Sequence, residues 1–333
     1  MLKVFLLIVV GLAGDPEHGK TFQAWGDSLA GASVRLGVPA ERLVYLTDQA
    51  PEGDSRATGR STRDEITRAL ERFAAEAGPD DLVFVTLIGH GTFDGRTAKF
   101  NTRGPDMEPG DFDVLLDLLP TRNVVFVNTS SASGPFVEEL SDEGRTVVAA
   151  TRSGAEVYAT LFGGFFIDAL GSESADSDKN GRISVLEAFQ FARSEVAQAY
   201  EREGLLLTEH AVLDDDGDGR GSQEPAAGGG EDGDGRIAAV LSLGDAGADD
   251  LPDDPRLRAL YLERRELERR IESLRLLKGS MAPARYASEL EELATAIALK
   301  TREIREAEQP NQPGGPPEGG PERDGGTRGP DGE

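Results

Sequence analysis

Short apolar runs along the first half of the chain alternate with segments of helical periodicity. The runs are continuous, without polar alternation, and they occupy residues 4–10, 43–46, 82–88, 124–127 and 146–150. Strands that are apolar on both faces are typical of a parallel sheet covered by helices on each side. We therefore predict an α/β domain with a mostly parallel sheet over residues 1–210.

Helical periodicity fills the gaps between these runs. Thr62 and Glu65 have the spacing of a capping box ahead of one such segment. Helices are predicted at residues 22–36, 62–77, 112–118, 158–170 and 185–199. The first apolar run also fits the short apolar region of a secretory signal, so residues 1–14 are predicted as a strand, with a signal segment as the alternative.

The rest of the chain divides into three segments of different character. Residues 211–254 are rich in Asp and Gly, which predicts loops around ion sites or a solvated linker. Residues 255–307 carry two heptad-like apolar stripes around a turn, which predict an antiparallel helical hairpin of the coiled-coil type. Residues 308–333 are rich in Pro and Gly and carry no large apolar residue, so we predict a disordered tail.

Composition and charge exclude several kinds of protein. The 333 residues include 61 Asp and Glu against 35 Lys and Arg, a formal charge of −26, and no cysteine. Without cysteine there is no disulfide framework, no thiolate metal site and no cysteine nucleophile. The negative charge argues against nucleic acid or an anionic membrane as the partner, and no apolar run is long enough to span a bilayer. Divalent cations are the expected counter-ions.

The sharpest motif is a calcium-binding loop at residues 176–187. It matches the 12-residue EF-hand loop, with Gly181 at the sixth position, where the chain must turn sharply. Oxygen ligands to Ca²⁺ are predicted from Asp176, Asp178, Asn180, the carbonyl of Arg182, Ser184 and Glu187. An acidic turn without a metal ion is the alternative.

Two incomplete copies of this motif follow in the acidic segment. The first offers Asp214, Asp216 and Asp218 as ligands, but its twelfth position is Pro225 instead of Glu. The second is a fragment around Asp232 and Asp234. Each is predicted as a weak calcium site or a solvated acidic loop, and one ion shared between the two fragments is a further possibility.

Two predicted strand ends carry residues of possible chemical use. His90 lies between two glycines after the strand at 82–88, and a Ser-rich loop that includes Ser131 follows the strand at 124–127. In parallel sheets, ligands and reactive groups gather beyond the carboxyl ends of the strands. The two loops are therefore expected at one edge of the sheet.

At these residues the chain resembles the caspase-like cysteine peptidases, and within them the legumain branch (asparaginyl endopeptidases or hemoglobinases) with its bacterial relatives. In that group a His-Gly pair ends one strand, and a Cys followed by a small residue, Ser and Gly ends the next. Residues 87–91 are similar to the first motif and residues 125–134 to the second. The resemblance covers about residues 3–200.

The resemblance implies a caspase-like three-layer α/β/α fold and a role for each matched residue. His90 would be the general base or acid, and the Gly91 N–H would be an oxyanion donor. Ser131 stands where the nucleophilic Cys belongs. A serine hydroxyl needs a base bonded directly to it and a third group that orients this base, and the sequence shows no evident Asp or Glu for His90.

The resulting prediction is a calcium-binding, legumain-like peptidase homologue that is not catalytic, a pseudopeptidase. One alternative is an active hydrolase that uses a Ser131–His90 pair. Another is a calcium-dependent scaffold that acts through the helical hairpin. The expected partner is a peptide or protein, and the hairpin offers a surface for self-association. Because such loops suit millimolar extracellular calcium, the sequence favours a periplasmic or secreted location if a leader precedes residue 1.

Overall fold

The structure is a computed structural model that describes residues 3–48, 56–230, 232–244, 254–276 and 281–308. The described strands are β1 (Val4–Val10), β2 (Leu43–Thr47), β3 (Gly59–Arg60), β4 (Leu82–Ile88), β5 (Gly91–Phe93), β6 (Ala98–Phe100), β7 (Asn123–Asn128), β8 (Arg145–Ala149) and β9 (Val212–Asp214). The described helices are α1 (Pro16–Arg35), α2 (Arg63–Glu76), α3 (Pro109–Leu116), α4 (Pro135–Leu140), α5 (Phe162–Leu170), α6 (Val185–Glu203), α7 (Pro255–Leu276) and α8 (Pro283–Glu308).

Seven of these strands form one sheet in the order β3-β2-β1-β4-β7-β8-β9. All neighbours are parallel except β8 and β9, which are antiparallel. β5 and β6 form a separate antiparallel hairpin. The prediction of a mostly parallel sheet is confirmed, and the first apolar run, β1, is an interior strand of this sheet.

Helices cover both faces of the sheet and make the fold a three-layer α/β/α arrangement. On one face, α1, α5 and α6 pack against a core that includes Ile8 and Val127. On the opposite face, α2, α3 and α4 pack against a core that includes Leu7 and Phe126. Successive residues of a strand point to opposite faces, so strands that are buried on both sides must be apolar at every position. This accounts for the continuous runs in the sequence.

Helices α1 and α2 begin where a side chain satisfies the first backbone N–H groups. Asp15 caps α1, and its carboxylate accepts hydrogen bonds from the N–H groups of Glu17 and His18 at 2.9 and 3.0 Å. Thr62 is the N-cap of α2, as predicted, and its hydroxyl accepts from the Glu65 N–H at 3.3 Å. Such caps stabilise a helix by about 1 kcal/mol each.

The described residues of the acidic segment, 211–230 and 232–244, pack with the domain that was predicted over residues 1–210. Its β9 completes the edge of the sheet, and Ala238, Leu241 and Leu243 are buried in the core shared by α1, α5 and α6. The backbone of Val185 also donates to the Leu241 carbonyl at 2.8 Å. The segment contains few apolar residues, so its sequence does not indicate a part of the core, although these few residues are buried.

α5 begins at Phe162, so the helix predicted over 158–170 is four residues too long at its start. The Glu209 carboxylate accepts hydrogen bonds from the N–H groups of Leu161 and Phe162, at 2.9 and 2.7 Å, and thereby caps the helix from a distant segment. The Thr160 hydroxyl donates to the carbonyl of Thr129. These long-range bonds hold residues before Phe162 in a non-helical path.

The predicted helical hairpin is present as α7 and α8. Two contacts show that the helices are antiparallel. Glu263 forms an ion pair with Lys300 at 2.6 Å, and the Tyr261 hydroxyl donates a hydrogen bond to Glu308, which lies further along α8. The tail predicted as disordered, from residue 309 on, lies outside the described residues. Within the described part of the chain, no helix is both long enough and apolar enough to cross a membrane.

Candidate functional site

The two loops predicted to meet at one sheet edge do meet there. β4 and β7 are parallel neighbours, with Leu87 opposite Asn128, so the segments that leave them begin side by side. The first leads to His90 and Gly91, and the second leads to Ser131. The site therefore forms at the carboxyl ends of two central strands, as the fold class predicts.

Ser131 is bonded to the backbone of Gly91 in both directions. The Gly91 N–H donates to the Ser131 Oγ at 3.2 Å, and this hydroxyl donates to the Gly91 carbonyl at 3.1 Å. Ser131 is only 2% exposed. A Cβ at Gly91 would lie 2.2 Å from the Ser131 carbonyl oxygen, so this approach requires glycine. The Gly91 N–H predicted as an oxyanion donor is thus occupied by Ser131 itself.

The neighbours of Ser131 hold its loop in a fixed path. The Ser130 hydroxyl donates to the Asn128 Oδ1 at 2.7 Å. Ala132 has a φ of 55°, an uncommon value for a residue with a Cβ, and its N–H donates to the Glu156 carbonyl at 2.8 Å. Among the described residues, the buried side-chain Nδ2 of Asn128 has no hydrogen-bond partner. Bonds within the loop and to the segment at Glu156 therefore help to fix its path.

His90 turns toward α1 instead of Ser131. Its ring lies 4.7 Å from the ring of His18 and 5.0 Å from that of Phe22, measured between centroids. Burial lowers the pKa of His90, and the neighbouring His18 lowers it further, against opposing effects of the Ala13 backbone and Asp15. Among the described residues, no hydrogen bond joins the His90 imidazole to Ser131.

His18 and Asp15 are residues of this edge that sequence reasoning did not identify. The His18 Nδ1 lies 2.6 Å from the Asp15 Oδ2, and backbone and side-chain hydrogen bonds from His18 lower the pKa of Asp15. An Asp-to-His spacing of three residues at a helix start is the only signal in the sequence, and it is equally typical of an ordinary N-terminal cap.

The predicted calcium loop brings its carboxylates together. Oxygen atoms of Asp176, Asp178 and Glu187 lie within 4.8 Å of one another, so these residues could hold a metal ion. Gly181 has a φ of 80°, as the turn at the sixth position requires. Burial raises the pKa of Asp178, and the charge of Glu187 adds to this effect. A bound cation would relieve both effects by neutralising the carboxylates.

The remaining predicted ligands shape this loop through hydrogen bonds. The Asn180 N–H donates to Asp176 and Asp178, at 3.0 Å each, and the Asn180 Oδ1 accepts from the N–H of Arg182 at 2.8 Å. Ser184 caps α6 in a capping box with Glu187. The ligand set and the start of the helix are therefore built from the same residues.

A second carboxylate cluster joins the two incomplete motifs. Asp214, Asp216 and Asp234 have oxygen atoms within 4.8 Å of one another and could also hold a metal ion. Burial raises the pKa of Asp234 to about 7, and the charges of nearby aspartates add to the rise. Asp218, the third ligand predicted here, lies outside this cluster, is exposed and accepts from the Arg220 N–H at 2.7 Å.

Asp215 has a structural part in this cluster that the motif did not reveal. It is buried, and its carboxylate accepts from the N–H groups of Gly235 and Ala238, at 2.8 and 2.7 Å. These bonds bring the segment that carries Asp234 against the one that carries Asp214. The two fragments, which are separate in sequence, thus form one acidic cluster.

Comparison with known proteins gives no family for the chain. No family model and no curated protein matches it. Among solved structures, the chain is similar to the crystal structure of a protein from Geobacter sulfurreducens, with a TM-score of 0.44 and 11% identity. The alignment covers 64% of this chain and 92% of that chain. A likeness of this size carries no inference about function.

Proposed function

We propose that this protein is a calcium-binding homologue of the legumain-type peptidases whose strand-end site does not cleave peptides. The proposal is supported by the order of the two motifs along the chain and by their meeting at neighbouring strand ends, at His90 and Ser131. The three-layer α/β/α arrangement is compatible with it. Its function would then be the binding of a peptide or protein at that edge.

One observation carries the non-catalytic part of the proposal, namely the bonding of the Ser131 hydroxyl. This hydroxyl donates its proton to the Gly91 carbonyl at 3.1 Å, while the His90 ring packs on α1 against His18 and Phe22. A serine becomes nucleophilic only when a base accepts its proton. A backbone carbonyl is not such a base, so Ser131 retains the very low reactivity of an ordinary alcohol.

We further propose that the first carboxylate cluster binds Ca²⁺. Asp176, Asp178 and Glu187 would supply carboxylate oxygens, with Asn180, the Arg182 carbonyl and Ser184 as the other predicted donors. Hard oxygen donors of this number and charge suit calcium. The ion would neutralise a carboxylate cluster and tie the loop to the start of α6, so its contribution would be to stability.

The second cluster supports a proposal of one calcium ion shared between the two incomplete motifs. Asp214 and Asp216 come from the first motif and Asp234 from the second, and all three converge. Three carboxylates at such short distances repel one another, and part of this cost would disappear when a divalent cation binds.

Peptide cleavage by the full chain tests the non-catalytic part. We would incubate the wild type, Ser131→Ala, His90→Ala and Ser131→Cys with a mixed peptide library and identify products by mass spectrometry. We expect no products from the wild type. Products from the wild type that disappear in both alanine variants would instead establish the Ser131–His90 hydrolase. Products from Ser131→Cys alone would indicate a decayed peptidase site that still orients a substrate.

A further inference from the structure

Exposed large apolar side chains are concentrated in two segments next to the strand-end site. Of the ten such residues in the described part of the chain, six lie at positions 157–161 and 205–207, and the other four are Val34, Val114, Leu118 and Leu299. We call these six the apolar patch, and they are Val157, Tyr158, Leu161, Leu205, Leu206 and Leu207. Tyr158 and Leu206 are 73% and 88% exposed. Concentrated exposure of this kind marks interaction surfaces, whereas single exposed apolar residues are ordinary.

The two segments of the apolar patch are bonded to each other. Glu156 accepts from the His210 N–H at 3.0 Å, and its side chain lies 3.0 Å from the His210 Nδ1. Glu209 in turn caps α5 through Leu161 and Phe162. Both connections involve buried or partly buried groups, and they hold the two segments together.

The apolar patch is continuous with the loop that carries Ser131. The Ala132 N–H donates to the Glu156 carbonyl, and the Thr160 hydroxyl donates to the Thr129 carbonyl. On its other side, a cavity of about 100 Å³ opens beside Leu207, with Phe162 among its walls. A peptide that lies along the strand-end loop would therefore meet the apolar patch next.

Two occupants that can be judged from the sequence, residues 309–333 and a second copy of the chain, suit this surface poorly. Residues 309–333 contain no Val, Leu, Ile, Met, Phe, Tyr or Trp, so they cannot cover it with apolar side chains. A second copy of the chain would carry the same formal charge of −26 as the first, so the two copies would repel each other. Charge of one sign on both partners slows association and opposes it.

The charges near the apolar patch favour a basic partner. Glu201 and Glu203 are exposed at the end of α6, with Arg202 between them, and Gly204 separates them from Leu205. The nearby Arg152 and Arg193 are already paired with Glu156 and Glu224. The overall charge of the protein is strongly negative as well. A partner with Lys or Arg beside its apolar residues would complement both the patch and its rim.

We propose that the apolar patch is the docking surface for a segment of another protein that combines large apolar side chains with Lys or Arg. This inference rests on the proposed function, because it names the partner class of the same edge of the sheet. The apolar side chains would cover Tyr158 and Leu206, and the basic residues would face Glu201 and Glu203.

Fluorescence anisotropy with three labelled peptide pools tests this proposal on the full chain in millimolar calcium. The peptides of all three pools have equal length. The first pool combines Leu and Phe with Lys, the second combines Leu and Phe with Glu, and the third combines Ser with Lys. We expect the apolar-basic pool to bind at least about tenfold more tightly than either other pool, because only it matches both the patch and its charge. Equal binding of the three pools, or preference for the acidic pool, would overturn the proposal.

Matched serine variants locate the binding. Tyr158→Ser combined with Leu206→Ser should weaken binding of the apolar-basic pool by about tenfold or more. Val114→Ser removes an apolar residue that is 64% exposed in α3, outside the patch, and should leave binding unchanged. An equal effect of the two changes would overturn the proposal. All three positions are exposed, so the variants should fold, which their melting temperatures would check.

Mass spectrometry of the recovered peptides separates failure of this inference from failure of the proposed function. Cleaved peptides would overturn the non-catalytic proposal. Peptide binding to the apolar patch would then be measured by anisotropy with the Ser131→Ala variant. Intact peptides without selective binding would overturn the docking proposal alone.

Discussion

The hydroxyl of Ser131 and the backbone of Gly91 exchange two hydrogen bonds, one in each direction, at 3.1 and 3.2 Å. A hydroxyl that already uses the N–H and the carbonyl of one glycine satisfies its own polar groups without His90. The same N–H is then not free to stabilise an oxyanion unless a ligand displaces Ser131 from it.

Calcium should raise the melting temperature, and Glu187→Gln should reduce this rise. An ion that binds only the folded state stabilises it by about 2.7 kcal/mol at one hundred times its Kd, which is a rise of several degrees. Gln cannot supply the two charged oxygens with which Glu187 would complete the loop. Differential scanning calorimetry with and without calcium measures the effect. Glu173→Gln, an exposed change nearby, is the control, and an equal calcium response in Glu187→Gln and wild type would contradict the assignment.

Asp234→Asn should remove one bound calcium ion from the protein, whereas Asp218→Asn should not. Asp234 belongs to the second cluster with Asp214 and Asp216, and Asp218 lies outside it. Both changes remove one negative charge from the same acidic segment, so their difference isolates the cluster. Isothermal titration calorimetry gives the number of ions bound. Loss of an ion in both variants, or in neither, would argue against the shared site.

Glu209 should make the folded state less stable as the pH rises toward neutrality. Burial raises its pKa to about 7, from an ordinary value of 4.5, against the opposing effect of the N–H groups it accepts from. The folded state therefore holds this proton more tightly than the unfolded state does. The associated stability is fully present below about pH 4.5 and is lost as the pH rises through about 7.

Glu209→Gln removes this titration and should flatten the dependence of stability on pH. Urea unfolding at several pH values from 5 to 8 gives the free energy of unfolding of the variant and the wild type. The difference between them should change by a few kcal/mol at most over this range. Glu203→Gln, at an exposed position, should leave the pH dependence as it is in the wild type. A constant difference between Glu209→Gln and wild type would contradict the prediction.

A chain truncated after Asp250 should still unfold cooperatively, because α7 and α8 pair with each other. Their contacts include the Glu263–Lys300 ion pair, and Leu274 and Ile304 are buried in the hairpin. The core residues Leu241 and Leu243 remain in the truncated chain. Thermal unfolding followed by circular dichroism tests this, and sedimentation shows any change of oligomeric state. A broad, non-cooperative transition would mean that the hairpin completes the core.

The sequence predicts the central strands and the carboxylate cluster of residues 176–187 because their signals are local. β1, β4 and β7 are continuous apolar runs, and burial on both faces requires this pattern. The loop at 176–187 has its ligands and its glycine at fixed spacing within 12 residues. In both cases the residues that specify the structure are close together in the chain.

The parts that the sequence does not predict depend on distant contacts. β9 has only three residues, and it exists because β8 pairs with it. Glu209 sets the start of α5 from 47 residues away, measured to Phe162. The His90 ring packs against His18 and Phe22, which lie on α1. No local sequence pattern indicates such contacts. The sequence therefore predicts that His90 and Ser131 lie at the same edge of the sheet, but it does not predict how their side chains are oriented relative to each other.

The most direct test of the account is the intact mass of the full-length protein after treatment with a fluorophosphonate, which forms a stable adduct with an activated serine. A hydroxyl bonded to the Gly91 carbonyl, with no base to accept its proton, should not react. We therefore predict that the wild-type mass is unchanged under conditions that fully label a working serine hydrolase. A single adduct on Ser131 that is lost in His90→Ala would contradict the non-catalytic assignment, because it would show that His90 activates this serine.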